Sequence, residues 1–472
     1  MVGDQARWRE DIFVACPLRD LVPDDHILRR VDRVLDLGWL RAEVADCYCL
    51  ENGRPSIDPE AAVRLMLAGF FAGIVHDRKL LREAQVNLAI RWFAGYRLHE
   101  RLPDHSSLTR IRQRWGAERF RRIFQRTVAA CVEAGLVDGE TVHVDATLIR
   151  ADVSWESVAE VHAERVLVEN EPPADEATPR QGGRPRTRLP KVNRRSKTDS
   201  EATLTTSSHE RRLEPGYKQN TAVDDKNGVV VDIAVTTGQD NEGSQLMEQV
   251  ARVEGNTGIP VKVVTADAGY AHSANYAGLE ESSIEAVIPP QHESSVARKL
   301  PLRRFRYDAR HQVVRCPGGK LLSRSHEVGK GWMYRARKGD CRCCPLRSRC
   351  MPESVGVRTV LIVHGYEALL RARRRRARGW DESLKTLYHR HQWLVEGRHG
   401  EAKVLHGLRR AVRRGLANVA IQAYLTAAVM NLKRLAALLR DLLSAISRFG
   451  VRIGVSETEA VGNWTTDVSH RH

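Results

Sequence analysis

The sequence changes its period at Thr141-Val-His-Val-Asp-Ala-Thr-Leu148. The two valines fall on one side of an extended chain, and His143, Asp145 and Thr147 fall on the other. Alternation of this kind indicates a β-strand with one buried face. Because a helical pattern precedes this strand and a mixture of strands and helices follows it, the strand divides the chain into two regions.

The region before this strand is predicted to be helical throughout. A helix start is recognisable at Asp58-Pro59-Glu60, where Asp is a favourable N-cap and Pro suits the first turn. Further helices are predicted from residue 77 through Trp92 and Phe93, from Ser106 or Ser107, and from residue 118 to 136. We therefore predict an all-helical N-terminal domain at 1–136.

The region after the strand is predicted to be an α/β domain at 137–446. Strands are predicted at 217–223, 229–236 and 261–266, and helices at 242–253, 273–281, 366–378, 384–408 and 416–446. Two segments interrupt the domain. The first is a proline-rich insertion at 169–216 with a basic stretch at 184–197, predicted to be exposed and partly disordered. The second is a cysteine-rich segment at 305–359, and a flexible tail is predicted at 447–472.

Charge and composition restrict the partners. The 472 residues include 75 Lys and Arg against 59 Asp and Glu, a formal net charge of +16. A surplus of this size favours a polyanion such as nucleic acid, although a merely basic protein also fits it. Residues 1–11 are charged, so no secretory leader is expected. The most apolar helix, at 419–443, is interrupted by charged residues and predicts no membrane span.

Two acids lie where strands end, and a third lies on a helix. Asp145 follows Val-His-Val and Asp267 follows Val-Val-Thr-Ala, so both can face one cleft beside a mixed sheet. Glu396 shares a helical face with His399 and Lys403. Each feature alone also fits a turn aspartate or a solvated helix face. Three carboxylates from separate elements can nevertheless hold two Mg²⁺ ions roughly 3.5–4 Å apart, which is an arrangement that hydrolyses phosphodiesters.

The chain resembles the DDE transposases of bacterial insertion sequences, with several signatures in the right order. Their first-aspartate strand is similar to Val-His-Val-Asp145-Ala-Thr-Leu-Ile-Arg-Ala, and their second-aspartate motif to Thr265-Ala-Asp267-Ala-Gly-Tyr270. Their tyrosine–arginine–glutamate–lysine signature is similar to Tyr388-His-Arg-His-Gln-Trp-Leu-Val-Glu396 followed by Lys403. Weaker matches are Pro215-Gly-Tyr-Lys218, Ala222-Val-Asp224, Thr237-Gly-Gln-Asp-Asn-Glu242, the helical segment 57–112 and Asn431-Leu-Lys-Arg434.

This resemblance implies a fold and an activity. The fold is α/β, with a ribonuclease H-like catalytic core, an all-helical N-terminal DNA-binding domain and the basic insertion. The activity is cleavage of DNA at the inverted-repeat ends of the element and strand transfer into target DNA, with Mg²⁺ or Mn²⁺ as cofactor. Asp145, Asp267 and Glu396 are implied as the catalytic metal ligands. A cytoplasmic, nucleoid-associated protein is expected, and the joining of two ends suggests a homo-oligomer in a synaptic complex.

The resemblance also implies DNA contacts, with one departure from the family's pattern. Tyr388 and Lys403 are implied as phosphate contacts. The signature's arginine falls at His391, while Arg390 lies one place earlier, and either residue can take its role. Glu401 is an alternative to Glu396, but only Glu396 has Lys403 at the family's spacing.

The cysteines and arginines suggest two further sites. Five cysteines are close in sequence, and four of them can complete a tetrahedral zinc site, whereas a cysteine-rich loop without metal is the alternative. The zinc ligands predicted are Cys316, Cys341, Cys344 and Cys350, which leaves Cys343 as surplus. The helix at 366–378 is rich in arginine and predicts either a solvated face or a clamp on DNA phosphates.

A third basic element lies in the N-terminal region. Arg110, Arg112 and Arg114 alternate with apolar residues and predict a helix that enters a DNA groove, as in helix-turn-helix proteins. The preceding turn, at 96–105, is longer than usual for that motif. Two other functions stay open, a catalytically silent domesticated transposase that only binds DNA and a host nuclease of the same fold.

Overall fold

The computed structural model describes residues 16–49, 56–154, 198–206, 213–291 and 300–448, with side chains up to residue 442. Its N-terminal region is helical, as predicted. The α-helices there are α1 (Ile27–Asp32), α2 (Leu40–Glu43), α3 (Pro59–Phe71), α4 (Asp77–Val86), α5 (Leu88–Phe93) and α6 (His105–Glu133). Short 3₁₀ turns occur at Leu18–Leu21 and Ala45–Cys47.

Local sequence explains where two of these helices begin and why one bends. The Asp58 carboxylate accepts a hydrogen bond from the Ala61 N–H, so α3 has the predicted N-cap. Asp104 caps α6 in the same way through Ser106 N–H. Gly116 interrupts α6 with φ 69° and ψ 173°, a backbone conformation that favours glycine. The break accounts for the two helices predicted on either side of residue 116.

The larger sheet carries the strand that opens the α/β region. Its strands are β1 (Thr141–Arg150), β2 (Thr203–Thr206), β3 (Leu213–Asp224), β4 (Val230–Thr237), β5 (Val263–Ala266) and β6 (Glu285–Val287). β3 pairs antiparallel with β1, β2 and β4, whereas β5 is parallel to both β1 and β6. The spatial order is β4-β3-β1-β5-β6, and the short β2 pairs with the first residues of β3. The predicted hairpin turn at 226–228 joins β3 to β4.

Helices connect the strands of this sheet. A 3₁₀ turn (Glu242–Gln245) and α7 (Leu246–Thr257) lead from β4 to β5, and a second 3₁₀ turn (Ala268–Tyr270) and α8 (Ser273–Glu281) lead from β5 to β6. The bounds of α8 are those predicted from the sequence.

The cysteine-rich segment contains a second, antiparallel sheet. Its strands run in the order β11-β10-β9-β8-β7. They are β7 (Arg306–Asp308), β8 (Val313–Arg315), β9 (Leu321–Val328), β10 (Gly331–Ala336) and β11 (Thr359–Val363). A 3₁₀ turn (Leu302–Arg304) precedes β7, and the short helices α9 (Lys338–Arg342) and α10 (Arg347–Cys350) lie between β10 and β11.

Three long helices complete the chain, namely α11 (Tyr366–Arg378), α12 (Glu382–Leu405) and α13 (Leu416–Arg448). Helix α13 packs against both α6 and β4. The Tyr424 ring stacks on Phe124 of α6, and the buried Asn431 amide bonds to the backbone N–H and carbonyl of Val230. The hydrophobic core is therefore continuous across the predicted boundary at residue 136.

The predicted insertion at 169–216 needs correction where the structure describes it. Residues 203–206 and 213–216 are strands of the larger sheet, and Ala202 and Thr203 are buried. The three threonines of Thr203-Leu-Thr-Thr206 are β-branched and favour a strand, and pairing with β3 overrides the polar composition. The basic stretch at 184–197 and the tail beyond residue 448 lie outside the described residues.

The first residues after the undescribed part of the insertion also cap α13. The N–H of Leu416, the first residue of α13, donates to the Glu201 carboxylate at 2.8 Å. The N–H of the preceding Gly415 donates to the Tyr217 hydroxyl at 3.1 Å. In the described part of the chain, no helix combines the length and the apolar character needed to cross a membrane.

Candidate active site

Asp145 lies in the middle of β1, after the buried residues 142–144. Its partner across the sheet is Thr221 of β3, and His399 of α12 lies over both. One imidazole nitrogen of His399 is 3.6 Å from the Asp145 carboxylate, and the other is 3.1 Å from the Thr221 hydroxyl. Burial, with help from the charges of Asp267, Glu242 and Glu396, raises the pKa of Asp145 to about 7.

Asp267 follows the last residue of β5, beside Asp145. The register pairs Val144 with Ala266 in parallel, so the two aspartates occupy the next position of adjoining strands. The Asp267 carboxylate accepts a hydrogen bond from the Gly269 N–H at 2.7 Å. Burial raises the pKa of Asp267, and the negative charge of Glu242 raises it further. The sheet therefore brings together the first two predicted catalytic residues.

Glu396 lies on α12, the helix that packs on β1 and β5. Leu394 and Val395 form a small buried cluster with Val223 of β3, which leaves Glu396 on the exposed face of the helix. The charge of Glu396 contributes to the raised pKa of Asp145, so its carboxylate is within electrostatic reach. As the side chains stand, no three Asp, Glu, His or Cys groups among the described residues are placed to hold a metal ion.

Glu401, the alternative to Glu396, has a different role in the structure. Its carboxylate forms ion pairs with Lys433 at 2.6 Å, Arg398 at 3.0 Å and Arg434 at 3.2 Å. Burial opposes ionisation, but hydrogen bonds from His406 and Lys433 and the nearby positive charges lower the pKa of Glu401 to about 2. Glu401 thus joins α12 to α13, and its oxygens are already occupied.

Glu242 is a fourth carboxylate at this place to which the sequence analysis gave no role. It begins the 3₁₀ turn after β4 and pairs with Lys218 at 3.0 Å. Its charge raises the pKa of both Asp145 and Asp267. The only sequence signal was its place at the end of Thr237-Gly-Gln-Asp-Asn-Glu242, a stretch that resembles the family between the two aspartates.

The two candidates for the signature's arginine lie on different sides of α12. His391 is buried, stacks on Tyr388 and bonds to the Thr265 hydroxyl at 3.0 Å. Burial, with a second imidazole nearby, lowers the pKa of His391 to about 3, so it is uncharged at neutral pH. Arg390 pairs with Asp225 at 3.0 Å and also donates to its backbone carbonyl. Of the two, only Arg390 can supply a positive charge.

Lys403 lies close to Asp145 in a positively charged neighbourhood. Burial lowers the pKa of Lys403, the charges of Arg409 and Arg150 lower it further, and Asp145 opposes them. The backbone of residues 409–411 is fixed to the end of β1, because Arg150 N–H donates to the Arg409 carbonyl and Ala411 N–H donates to the Arg150 carbonyl. Arg150 and Arg409 therefore lie near Lys403, and the charge of Lys403 interacts with that of Asp145.

Arg112, predicted to contact DNA, is buried, and this prediction needs correction. Only 3% of the residue is exposed, and its guanidinium makes a two-pronged ion pair with Asp77 at 2.8 and 2.9 Å. Arg413 joins the same carboxylate at 2.6 Å. The Arg112 side chain therefore ties α6 to α4 and is not available to a DNA groove. Arg110 and Arg114 are exposed on the neighbouring face of α6, with Arg114 over the Tyr48 ring.

The predicted zinc ligands lie around one small cavity of about 30 Å³. Cys341 and Cys350 are buried, Cys316 and Cys344 are half-buried, and Cys343 is exposed. A Cβ on Gly318 would lie 3.3 Å from the Cys344 Sγ and 3.7 Å from the Cys316 Sγ, so the glycine leaves room for both thiols. The structure gathers the four predicted cysteines and excludes the surplus one, without a disulfide between them.

Part of the arginine-rich helix α11 is committed to the fold. Arg371 pairs with Glu280 at 2.5 Å, Arg375 pairs with Glu285, and the Arg376 guanidinium lies 4.1 Å from the centre of the Trp380 ring. These contacts fix α11 to α8, β6 and the start of α12. The helix is therefore neither a freely solvated face nor a clamp in which every arginine is available to phosphate.

Two families of transposase domains match parts of the chain. The family described as Transposase domain (DUF772) matches residues 17–114, and the family described as Transposase DDE domain matches residues 315–436. No curated protein matches the sequence. Among solved structures, a piggyBac transposase synaptic complex with hairpin DNA aligns over 91% of this chain and 82% of its own, at 10% identity and a TM-score of 0.30. That score is too low to establish a common fold. The two family matches place the chain among the DDE-type transposases.

Proposed function

We propose that this chain is the transposase of a bacterial insertion sequence, which cuts DNA at the ends of the element and joins them to target DNA. The observation that carries the proposal is the adjacency of Asp145 and Asp267 on parallel strands, beneath the helix that bears Glu396. Burial raises the pKa of both aspartates, so the ionised form of each is disfavoured in this position. Perturbed groups of this kind are frequent at functional sites.

The strand order supports a ribonuclease H-like core. In the order β4-β3-β1-β5-β6, the first three strands are antiparallel, and the last two run parallel to β1. The acids lie on the central strand β1, at the end of its neighbour β5, and on the helix that packs across both strands. We infer that this is the catalytic core and that the helical region before residue 137 binds the element ends.

The donor set fits a hard divalent cation, Mg²⁺ or Mn²⁺. The groups that face one another are carboxylates, and a positive charge between them would relieve the burial and repulsion that raise their pKa. Asp145, Asp267 and Glu396 would hold the cations after turning towards each other from their present positions. The bound cations would supply a nucleophile at neutral pH and stabilise charge on the attacking and leaving oxygens.

The remaining residues of the site have separate tasks in this proposal. His399, kept uncharged by burial, would fix the orientation of Asp145 through its contact with Thr221. Lys403 and Arg409 would bind phosphate oxygens of the scissile strand. A water oxygen would bond to phosphorus as the 3′ oxygen of the element end leaves and takes up a proton. That 3′ hydroxyl would then lose its proton and bond to a target phosphorus, displacing the 3′ oxygen of the target strand, which leaves as a hydroxyl.

Other surfaces would hold the DNA and the fold. Arg110 and Arg114 are proposed to contact the DNA ends, and Tyr388 and Arg390 to contact phosphate near the cut. We propose that Cys316, Cys341, Cys344 and Cys350 bind a structural zinc ion, because four cysteines around one small cavity are a ligand set that suits zinc. Bringing two ends together would require at least two copies of the chain.

The experiment uses the DNA that flanks the coding region. Purified protein, Mg²⁺ and a fragment with both flanks should give cuts at inverted repeats and joined products with a supercoiled plasmid. The Asp145→Asn variant should bind the fragment with nearly unchanged affinity and give neither product. Cutting of unrelated DNA at the same rate would indicate a host nuclease, and binding without cutting by the unaltered protein would indicate a silent DNA-binding protein.

A further inference from the structure

The 3₁₀ turn that bears Glu242 is fixed against the loop after Asp267. The Asn275 side chain donates hydrogen bonds to the backbone carbonyls of Gly243 at 2.8 Å and Tyr270 at 3.0 Å, and so joins the two segments. A Cβ on Gly243 would lie 2.2 Å from a ring carbon of His272, so no side chain fits at this contact. The packing holds Glu242 at a set distance from the second catalytic aspartate.

The carboxylates of Glu242 and Asp267 face the same small space. A Cβ on Gly269 would lie 2.9 Å from the Asp267 Oδ1 and 3.4 Å from the Glu242 Oε2. Lys218 pairs with the other oxygen of Glu242, Oε1, at 3.0 Å. Lys218 therefore occupies one oxygen of the Glu242 carboxylate, and the other oxygen lies beside Gly269, as Asp267 Oδ1 does.

An independent observation on Tyr270 indicates that something is bound in this space. The residue is 0% exposed, and its hydroxyl has no hydrogen-bond partner among the described residues. The acids around it are Asp145, Glu242 and Asp267, whose charges add to the effect of burial in raising the pKa of the phenol. A buried hydroxyl without a partner costs about 1–3 kcal/mol, so such groups usually point to a missing ligand or water.

We propose that Glu242 is a fourth carboxylate of the cation site and that the Tyr270 hydroxyl donates a hydrogen bond to a water or phosphate oxygen held there. This inference rests on the proposed function, since it adds two residues to the site of Asp145, Asp267 and Glu396. Glu242 lies on the turn after β4, and its charge reaches both Asp145 and Asp267. A carboxylate from this turn would therefore join those from β1, β5 and α12.

The test is a titration of the full-length protein with Mn²⁺, in which free Mn²⁺ is followed by electron paramagnetic resonance. Glu242→Gln should weaken binding by on the order of tenfold or more. Glu248→Gln is the matched control, because Glu248 lies on α7 next to the same turn and is largely exposed. An unchanged Mn²⁺ affinity in Glu242→Gln would overturn the assignment of Glu242.

Two more variants keep the outcomes distinct. Lys218→Gln removes the ion pair but keeps the carboxylate, so its Mn²⁺ affinity should fall much less than that of Glu242→Gln; an equal loss in both variants would overturn the assignment of Glu242 as a ligand. Asp145→Asn should also lose Mn²⁺ affinity. If Asp145→Asn binds Mn²⁺ normally, the proposed function fails, whereas an effect of Asp145→Asn alone overturns only the role of Glu242.

The hydroxyl of Tyr270 is tested by stability rather than by activity. Tyr270→Phe removes a buried group that lacks a partner, so the cation-free variant should melt no earlier than the unaltered protein. The rise in melting temperature on addition of Mn²⁺ should be smaller for Tyr270→Phe. An equal rise in both proteins would overturn the role of this hydroxyl.

Discussion

Replacing Asp145 with Asn should make the cation-free protein more stable at alkaline pH. The pKa of Asp145 is raised from its usual 3.8 to about 7, chiefly by burial. A carboxyl whose folded pKa lies above its unfolded value releases its proton first in the unfolded chain. Stability is therefore lost as pH rises from about 4 to about 7 and changes little beyond that. The full penalty is about 4 kcal/mol, and an amide of the same shape does not incur it.

Urea unfolding of chelator-treated protein at pH 5 and pH 8 measures this effect. The free energy of unfolding of Asp145→Asn should exceed that of the unaltered protein by about 4 kcal/mol at pH 8 and by less than half of that at pH 5. Glu248→Gln, an exposed position, should show little change at either pH. Mn²⁺ should reduce this difference at pH 8, because it stabilises only the protein that binds it. A gain that is the same at both pH values, or a loss at pH 8, would refute the reasoning.

Three other predictions concern residues around the site. Glu401→Gln should lower the free energy of unfolding by about 3 kcal/mol, because three basic side chains lose their partner; equal stability in urea would contradict its role between α12 and α13. Arg409→Ala should weaken DNA binding and reduce the slope of log affinity against log salt by about one, and an unchanged slope would exclude a phosphate contact. Cys344→Ser should lose about one zinc ion per chain by elemental analysis while Cys343→Ser keeps it, and protein purified without zinc would count against the site.

Local patterns allowed much of the fold to be predicted. The period-two alternation around Asp145, the apolar run before Asp267 and the helix at 273–281 depend on neighbours along the chain, and all three elements are present. The parallel pairing of the two aspartate strands then brings these acids together. Glu396 could be predicted only through its motif, since a helix with a Glu, a His and a Lys on one face looks the same when it is solvated.

Features that depend on distant partners could not be predicted. Arg112 looks like Arg110 and Arg114 in sequence, and only Asp77, 35 residues away, makes it a buried ion pair. The strand at 203–206 has a polar sequence and forms because β3 offers it an edge. Glu242 begins a helical turn in sequence, and its approach to Asp267 depends on a side-chain contact from α8.

Cleavage by a Glu396→Gln variant tests the central claim most directly, because the assignment of Glu396 rests on its sequence motif more than that of either aspartate does. The measurement is the rate of Mg²⁺-dependent cutting of end DNA, at protein concentrations that saturate binding for both the unaltered protein and the variant. If the three carboxylates act together, the variant should bind the ends and melt at the normal temperature but should make no cut. Cleavage at the unaltered rate by well-folded Glu396→Gln would contradict the account.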